Sequence, residues 1–198
     1  VFQRASDITP KVEEGSSDLG IVGMDRFLEI RREGGNTDIV IESLGFGHCE
    51  LLMGVPDFWV DVTSLADLAD LSMELREEGA DLRIATKYHR LVREYLRRGG
   101  VADYRLVDSQ GATEGTVKNL TAEAIADITS TGETLRANHL KILSEEPVLR
   151  SQATLYRSRR AVRETLSRPR LSASETATVL VDWATAFDRV VRPMNRPE

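Results

Sequence analysis

Apolar positions along this chain follow two rhythms. Short runs bounded by glycine or an acid read as buried strands: DLGIVG (18–23), DIVIESL (38–44), CELLMGV (49–55), DLRIAT (81–86) and YRLVDS (104–109). Other segments space their apolar residues at helical intervals. In SLADLADLSMELREEG (64–79), Leu65, Leu68, Leu71 or Ser72, and Leu75 share a face, and Gly79 stops the helix. In YHRLVREYLRRGG (88–100), Leu91, Val92, Tyr95 and Leu96 turn inward and the arginines outward. DITPKVEEG (7–15) predicts a short helix capped by Asp7 or Thr9, with Pro10 in its first position. DRFLEIRREGG (25–35) predicts another, closed by two glycines. VPDFWVDVTS (55–64) reads as a loop, and GFG (45–47) permits a tight turn or a crossing point. TAEAIADITS (121–130) starts as an Ala-rich helical stretch and becomes a β-branched strand.

Strand and helix alternate over short connections, which predicts an α/β fold with mixed, mostly parallel sheets. Ligands in such folds sit at the carboxyl ends of strands. Residues 86–87, 108–114 and 127–134 fall there. The last of these opens DITSTGETLRANHLK (127–141), an acid-tipped strand followed by small hydroxyl residues around Gly132. Ser130, Thr131 and Thr134 would serve a helix start. Backbone N–H groups flanked by hydroxyls also make an anion cradle. Spacing alone leaves both readings open.

The 198 residues suffice for one large domain or two small lobes. A formal net charge of −6 argues against a nucleic-acid binder, which presents a basic face. Cys49 is the single cysteine, so no intrachain disulfide can form and a reducing compartment fits. No apolar run approaches the roughly 18 residues of a membrane span. The chain opens on VFQRASDITP, with neither an initiator Met nor a first strand, as expected of a chain that starts inside a fold. Residues 150–170 carry seven arginines and one acid, Glu164, either a solvated face or a partner or phosphate surface. Ser172 and Glu175 form a capping box before an apolar stripe of Leu180, Trp183, Ala184, Phe187, Val190 and Val191. That stripe suits a last core helix or an oligomer contact. No histidine–cysteine spacing suggests zinc.

Four segments, RASDITPKVEEGSSDLGIVGMD (4–25), LGFGHCEL (44–51), RIATKYHRLVREYL (83–96) and GATEGTVKNLTAEAIADITSTGETLRANHLK (111–141), together resemble one family. It is the ATP phosphoribosyltransferases, which open histidine biosynthesis, and the segments stand in the family's order. The GATEG form, with RSQATL (150–155), resembles the short-form branch. The resemblance implies two lobes like those of type II periplasmic binding proteins, with the active site in the cleft between them. Residues 1–53 and 150–198 would form lobe I, whose N-terminal strand and basic Lys-Gly-Arg loop are missing from this sequence. Residues 54–149 would form lobe II. A cytoplasmic chain is implied, a homodimer or higher oligomer that joins a regulatory subunit resembling a histidyl-tRNA synthetase. Neither nucleic acid nor membrane is expected as a partner.

The implied reaction joins N1 of the adenine of ATP to C1 of phosphoribosyl pyrophosphate, with Mg²⁺ bridging pyrophosphate oxygens. By resemblance, Ser130, Thr131, Gly132, Glu133 and Thr134 would hold the 5′-phosphate and Asp127 the ribose hydroxyls. Glu114 would meet the ribose, the pyrophosphate or its metal, and it joins Asp127 as an expected catalytic residue. The family's Ala-Pro step after this glutamate is replaced here by GTVKNLT. Arg4, Asp25 and Lys87 are the expected ATP contacts; Asp25 also suits a helix cap, and Lys87 a surface position. His48 stands where many relatives carry Arg. His89 and His139 suit structural or exposed positions on helices, and Cys49 a buried small side chain. Two rivals share features of this pattern. A solute-binding module has the fold but no need of the TSTGETL loop. A salvage phosphoribosyltransferase places two adjacent acids before its loop, whereas Ile128 follows Asp127 here.

Overall fold

Strands form where the apolar runs lie, and their pairing sorts them into two sheets. The computed structural model describes residues 4–109, 113, 115–118, 120–129, 132–143 and 146–160. Glu114, Ser130, Thr131, the arginines beyond Arg160, the Ser172–Glu175 capping box and the apolar stripe after it lie outside the described residues.

The first sheet contains β1 (Leu19–Gly23), β2 (Thr37–Ile41) and β9 (Ala153–Ser158), in the order β1-β9-β2. Both pairings are antiparallel, with Gly23 opposite Ala153 and Ile39 opposite Tyr156. Helices α1 (Ala5–Glu14) and α2 (Met24–Ile30) cover it. Val12, Val22, Met24, Phe27 and Tyr156 form its core, with the Phe27 and Tyr156 ring centroids 4.6 Å apart. Helix α1 starts earlier than the sequence predicts. Arg4, not Asp7 or Thr9, is the capping position, without a side-chain cap bond, and Pro10 lies inside the helix. Pro10 has no N–H to return to the preceding turn. The apolar burial of Val12 in the core of this sheet works against that loss.

The second sheet runs β5-β4-β6-β3-β7, with β8 also on β3. Its strands are β3 (Cys49–Pro56), β4 (Arg83–Thr86), β5 (Arg105–Asp108), β6 (Ala124–Thr129), β7 (Leu140–Ile142) and β8 (Leu149–Ser151). Helices α3 (Leu65–Glu77), α4 (His89–Arg98), α5 (Gly115–Lys118) and α6 (Glu133–Ala137) belong to this half of the chain. Leu51, Leu68, Leu82, Ile84 and Leu96 are fully buried here. Each such side chain stabilises the fold by about 1.5–3 kcal/mol.

The sheets are mixed, but among the described residues most strand pairs are antiparallel, not parallel as the sequence predicts. Parallel pairing is confined to β5-β4-β6, while β3 runs antiparallel to β6, β7 and β8. A strand buried on both faces has the same apolar run in either direction, so its sequence carries no sign of this. The Ala-rich helical start of 121–130 is also absent, because β6 already begins at Ala124. Ala124 and Ala126 enter the main core, and Ile125 enters a second cluster with Ala85, Leu135 and Leu140. Both faces of β6 are covered, and small residues fit that confinement.

The chain crosses between sheets at residues 42–48 and again at Gln152. Leu44 N–H donates to the Ala153 carbonyl at 3.0 Å, Ala153 N–H to the Phe46 carbonyl at 2.9 Å, and Gly45 N–H to the Gln152 side chain at 3.0 Å. The two crossings are therefore hydrogen-bonded to each other.

Candidate active site

The parallel strands end together, and their ends define the candidate site. Thr86 of β4 stands opposite Ala126 of β6, so Lys87 and Asp127 come next in line. Their side chains meet as an ion pair, Lys87 Nζ to Asp127 Oδ1, at 3.0 Å, with 31% and 17% of each exposed. The Thr86 hydroxyl ties this edge together. It donates to the Ala126 carbonyl at 2.7 Å and accepts from Tyr88 N–H at 3.0 Å. On the other side, Ser109 N–H donates to the Thr86 carbonyl, and the Ser109 hydroxyl reaches that of Thr113 at 2.9 Å.

Asp127 is not at the tip of its strand, as the sequence suggested. Strand β6 continues to Thr129 because β3 pairs with it past that point, Leu52 opposite Asp127 and Glu50 opposite Thr129. Asp127 marks instead where β4 stops. The loop after β6 turns at Gly132, whose φ of 71° is the left-handed conformation that glycine adopts without strain. Gly132 is the N-cap of α6, and its N–H donates to the Thr129 hydroxyl at 2.8 Å. Glu133 and Thr134 are exposed in the first turn of α6.

A buried cluster lies beside the Lys87–Asp127 pair. Asp25 is 3% exposed, and both its carboxylate oxygens are engaged. The Ser151 hydroxyl donates to Oδ1 at 2.7 Å and the Tyr88 hydroxyl to Oδ2 at 2.8 Å, while Asp25 N–H donates back to Ser151 Oγ at 3.0 Å. Asp25 is thus neither a helix cap nor an open ligand in this state. The Lys87 ammonium stands 5.6 Å and the Arg26 guanidinium 5.5 Å from the centre of the Tyr88 ring. Burial, then the charge and hydrogen bond of Asp25, push the Tyr88 phenol well above its usual pKa. Burial raises the Cys49 thiol too, with the Asp25 charge adding to it.

Asp25, Lys87 and Asp127 are therefore gathered around Tyr88, whereas Arg4 is exposed at the start of α1. His48 is exposed, His89 Nε2 lies 3.0 Å from the Thr86 carbonyl, and His139 is exposed near Asp57. Cys49 is half-buried. Sequence reasoning passed over Tyr88, Ser151 and Thr129. Tyr88 was visible only as the opening of an amphipathic helix, and Ser151 only inside RSQATL. Among the described residues, no three His, Cys, Asp or Glu side chains gather to hold a metal, and no helix is long and apolar enough to cross a membrane.

Two sheets with paired crossings and a polar edge at the parallel strand ends define the two-lobed α/β class of type II periplasmic binding proteins. A periplasmic sulfonate-binding protein from Methylobacillus flagellatus has a similar fold, with a TM-score of 0.53 at 16% identity over 80% of this chain and 47% of that one. The ATP phosphoribosyl transferase HisG:HisZ complex from Thermotoga maritima is more similar, with a TM-score of 0.68 at 19% identity over 95% of this chain and 78% of that one. Sequence narrows the class. The family model for ATP phosphoribosyltransferase matches residues 4–178. An ATP phosphoribosyltransferase from Cereibacter sphaeroides is 56% identical over 162 residues, 81% of this chain and 69% of that protein. One from Brucella anthropi is 45% identical over 163 residues, 81% of this chain and 71% of that protein. The chain belongs to the ATP phosphoribosyltransferase family.

Proposed function

We propose that this chain transfers the phosphoribosyl group of phosphoribosyl pyrophosphate to N1 of the adenine of ATP. The bond from C1 to the pyrophosphate oxygen breaks, the N1–C1 bond forms, and pyrophosphate leaves with the electron pair. The product, phosphoribosyl-ATP, opens histidine biosynthesis. The observation that carries this reading is the 56% identity to the Cereibacter sphaeroides enzyme over 81% of the chain.

The transition state has positive charge on the ribose and negative charge on the leaving group, so catalysis rests on positioning and electrostatics. In this reading Asp127 accepts from the ribose hydroxyls, and Lys87, now at its side, faces substrate phosphate rather than ATP alone. Residues 130–134 receive the 5′-phosphate, with Gly132 setting the turn. Glu114 meets the ribose, the pyrophosphate or its metal in this reading. Asp25, with its oxygens occupied, organises the ATP side of the cleft rather than contacting the nucleotide in this state, and Arg4 meets ATP. The described residues offer Mg²⁺ no three-ligand cage. They fit an ion carried in on pyrophosphate oxygens, which suits the habit of Mg²⁺ to keep oxygen ligands and waters. Asp127, with Glu114, could hold one side of it. Mg²⁺ would supply neutralisation of leaving-group charge.

The cleft in this reading lies between lobe I, residues 1–53 and 150–198, and lobe II, residues 54–149. Because β3 starts at Cys49 and β8 ends at Ser151, the second sheet reaches slightly beyond that division. The protein works in the cytoplasm as a homodimer or higher oligomer joined to a synthetase-like regulatory subunit. The Thermotoga maritima HisG:HisZ complex is the precedent for such an assembly.

The test mixes full-length protein with ATP, phosphoribosyl pyrophosphate and Mg²⁺, with and without the regulatory subunit, and follows adenine absorbance. Product formation that Asp127→Ala reduces by about 10²-fold or more, as for the loss of a group stabilising transition-state charge, is the expected outcome. ATP binding without product under either condition would instead make the chain a binding module.

A further inference from the structure

Lys87 and Tyr88 are consecutive, and the two side chains are held from different directions. Lys87 faces Asp127 at the end of the parallel strands. Tyr88 turns into the protein, 1% exposed, and its hydroxyl ends on Asp25 of α2. Asp25 is fixed in turn by the hydroxyl of Ser151, at the end of β8, beside the return crossing at Gln152. Tyr88, Asp25 and Ser151 are all buried, and the Tyr88 hydroxyl, the Asp25 carboxylate and the Ser151 hydroxyl each have a partner. Such a closed network holds one geometry, because each alternative leaves a buried polar atom unpaired.

The backbone leaves the pair little freedom. Tyr88 N–H is taken by the Thr86 hydroxyl, which also holds the Ala126 carbonyl one residue before Asp127. The Thr86 hydroxyl thus ties the Lys87–Tyr88 step to β6, so the Tyr88 ring and the Lys87 side chain leave the same anchored stretch of backbone. Gly23 closes the other side, since a Cβ there would stand 2.3 Å from Asp25 Oδ1.

We propose that Asp25, Tyr88 and Ser151 form a lock between α2 and the second sheet, and that Tyr88 is a positioning residue that sets where Lys87 meets the phosphoribosyl pyrophosphate phosphates. The inference rests on the reading of the Lys87–Asp127 edge as that substrate's site. It gives the small-sheet half of the molecule a direct influence on donor binding, through one phenol hydroxyl.

A double-mutant cycle on the full-length enzyme with its regulatory subunit tests this. It compares wild type, Tyr88→Phe, Lys87→Ala and the double variant for kcat, KM of each substrate and thermal midpoint. Tyr88→Phe keeps the ring and its packing. It should raise KM for phosphoribosyl pyrophosphate about tenfold, the worth of one hydrogen bond to a charged acceptor. In the Lys87→Ala background it should add nothing, because the residue it positions is gone. Ser151→Ala, at the far end of the lock, should move the same KM in the same direction. Equal effects of Tyr88→Phe with and without Lys87 would overturn the proposal. So would a lowered thermal midpoint with unchanged KM values, which marks a purely structural role. Lys87→Ala with no effect on that KM would sink the site reading itself, a failure distinct from that of the lock.

Discussion

At the scale of single residues, Asp25 is the most deeply buried carboxylate among the described residues. A charge at 3% exposure persists only where donors replace its water, and Tyr88 and Ser151 do so here. Gly23 is the residue that makes room for it. Its φ of −59° is open to any amino acid, so the constraint is space alone. Gly23→Ala would put a methyl group 2.3 Å from Asp25 Oδ1 and drive the carboxylate off one of its donors. The expected cost is about 1–3 kcal/mol, the penalty of an unsatisfied buried polar group, read as a fall in the denaturation midpoint with an unchanged slope. Unaltered stability would mean that the carboxylate relaxes freely and the lock is loose. The sequence showed Gly23 as a strand boundary and Asp25 as a candidate ligand. It could not show that the two collide, because that contact depends on the turn from β1 into α2. Asp127 and Lys87 were both named from sequence, in separate roles, and only the β4–β6 register unites them.

At the scale of elements, local signals served helices better than sheets. Helix α3 shows why. Its stripe of leucines, its capping residue and its glycine stop all sit within one stretch, and the structure keeps the stripe, with Leu68 and Ser72 buried. Ser64 and Asp67 form a reciprocal capping box: Asp67 N–H donates to Ser64 Oγ at 3.2 Å, and Ser64 N–H to Asp67 Oδ2 at 2.8 Å. Ser64→Ala should cost about 1 kcal/mol in chemical denaturation. The Asp67 carboxyl is held down to about 2, first by Thr63 N–H and then by the Ser64 and Thr63 side chains and Ser64 N–H. A depressed acid stabilises the fold above its unfolded pKa, and that contribution disappears as pH falls through the folded one. The Ser64–Asp67 contribution should therefore be complete above the usual aspartate value of 3.8 and lost towards pH 2, and Asp67→Asn should flatten acid unfolding in that window. Strand direction had no comparable local mark. The run CELLMGV reads the same whether β3 lies parallel or antiparallel to β6, and the alanines of β6 read as helix until their burial on both faces is known.

At the scale of the whole molecule, the two sheets are joined by a reciprocal cap that no sequence motif announces. Tyr88 stands at the N-cap of helix α4 and provides no side-chain cap. The Glu29 carboxylate of α2 fills that place, accepting from Arg90 N–H at 2.9 Å and Leu91 N–H at 3.1 Å. In return, the Arg90 guanidinium donates to the carbonyls of Leu28 and Arg31, at 3.2 and 2.7 Å, where α2 ends. An anion at one helix start and a cation at another helix end each match the local dipole. Helix α2 follows a strand of the first sheet and α4 a strand of the second, so the two caps bridge the halves. Glu29→Ala and Arg90→Ala should each destabilise by about 1 kcal/mol, the size of a lost cap. The double variant should lose less than the sum, because either single change already loosens the α2–α4 contact on which the other cap depends. Equilibrium denaturation of the four proteins measures this. Strict additivity would mean that the caps act locally and that the buried lock and core packing set the relation of the two sheets. A shortfall of about 0.5 kcal/mol or more would make the α2–α4 clasp one coupled unit that joins the two sheets.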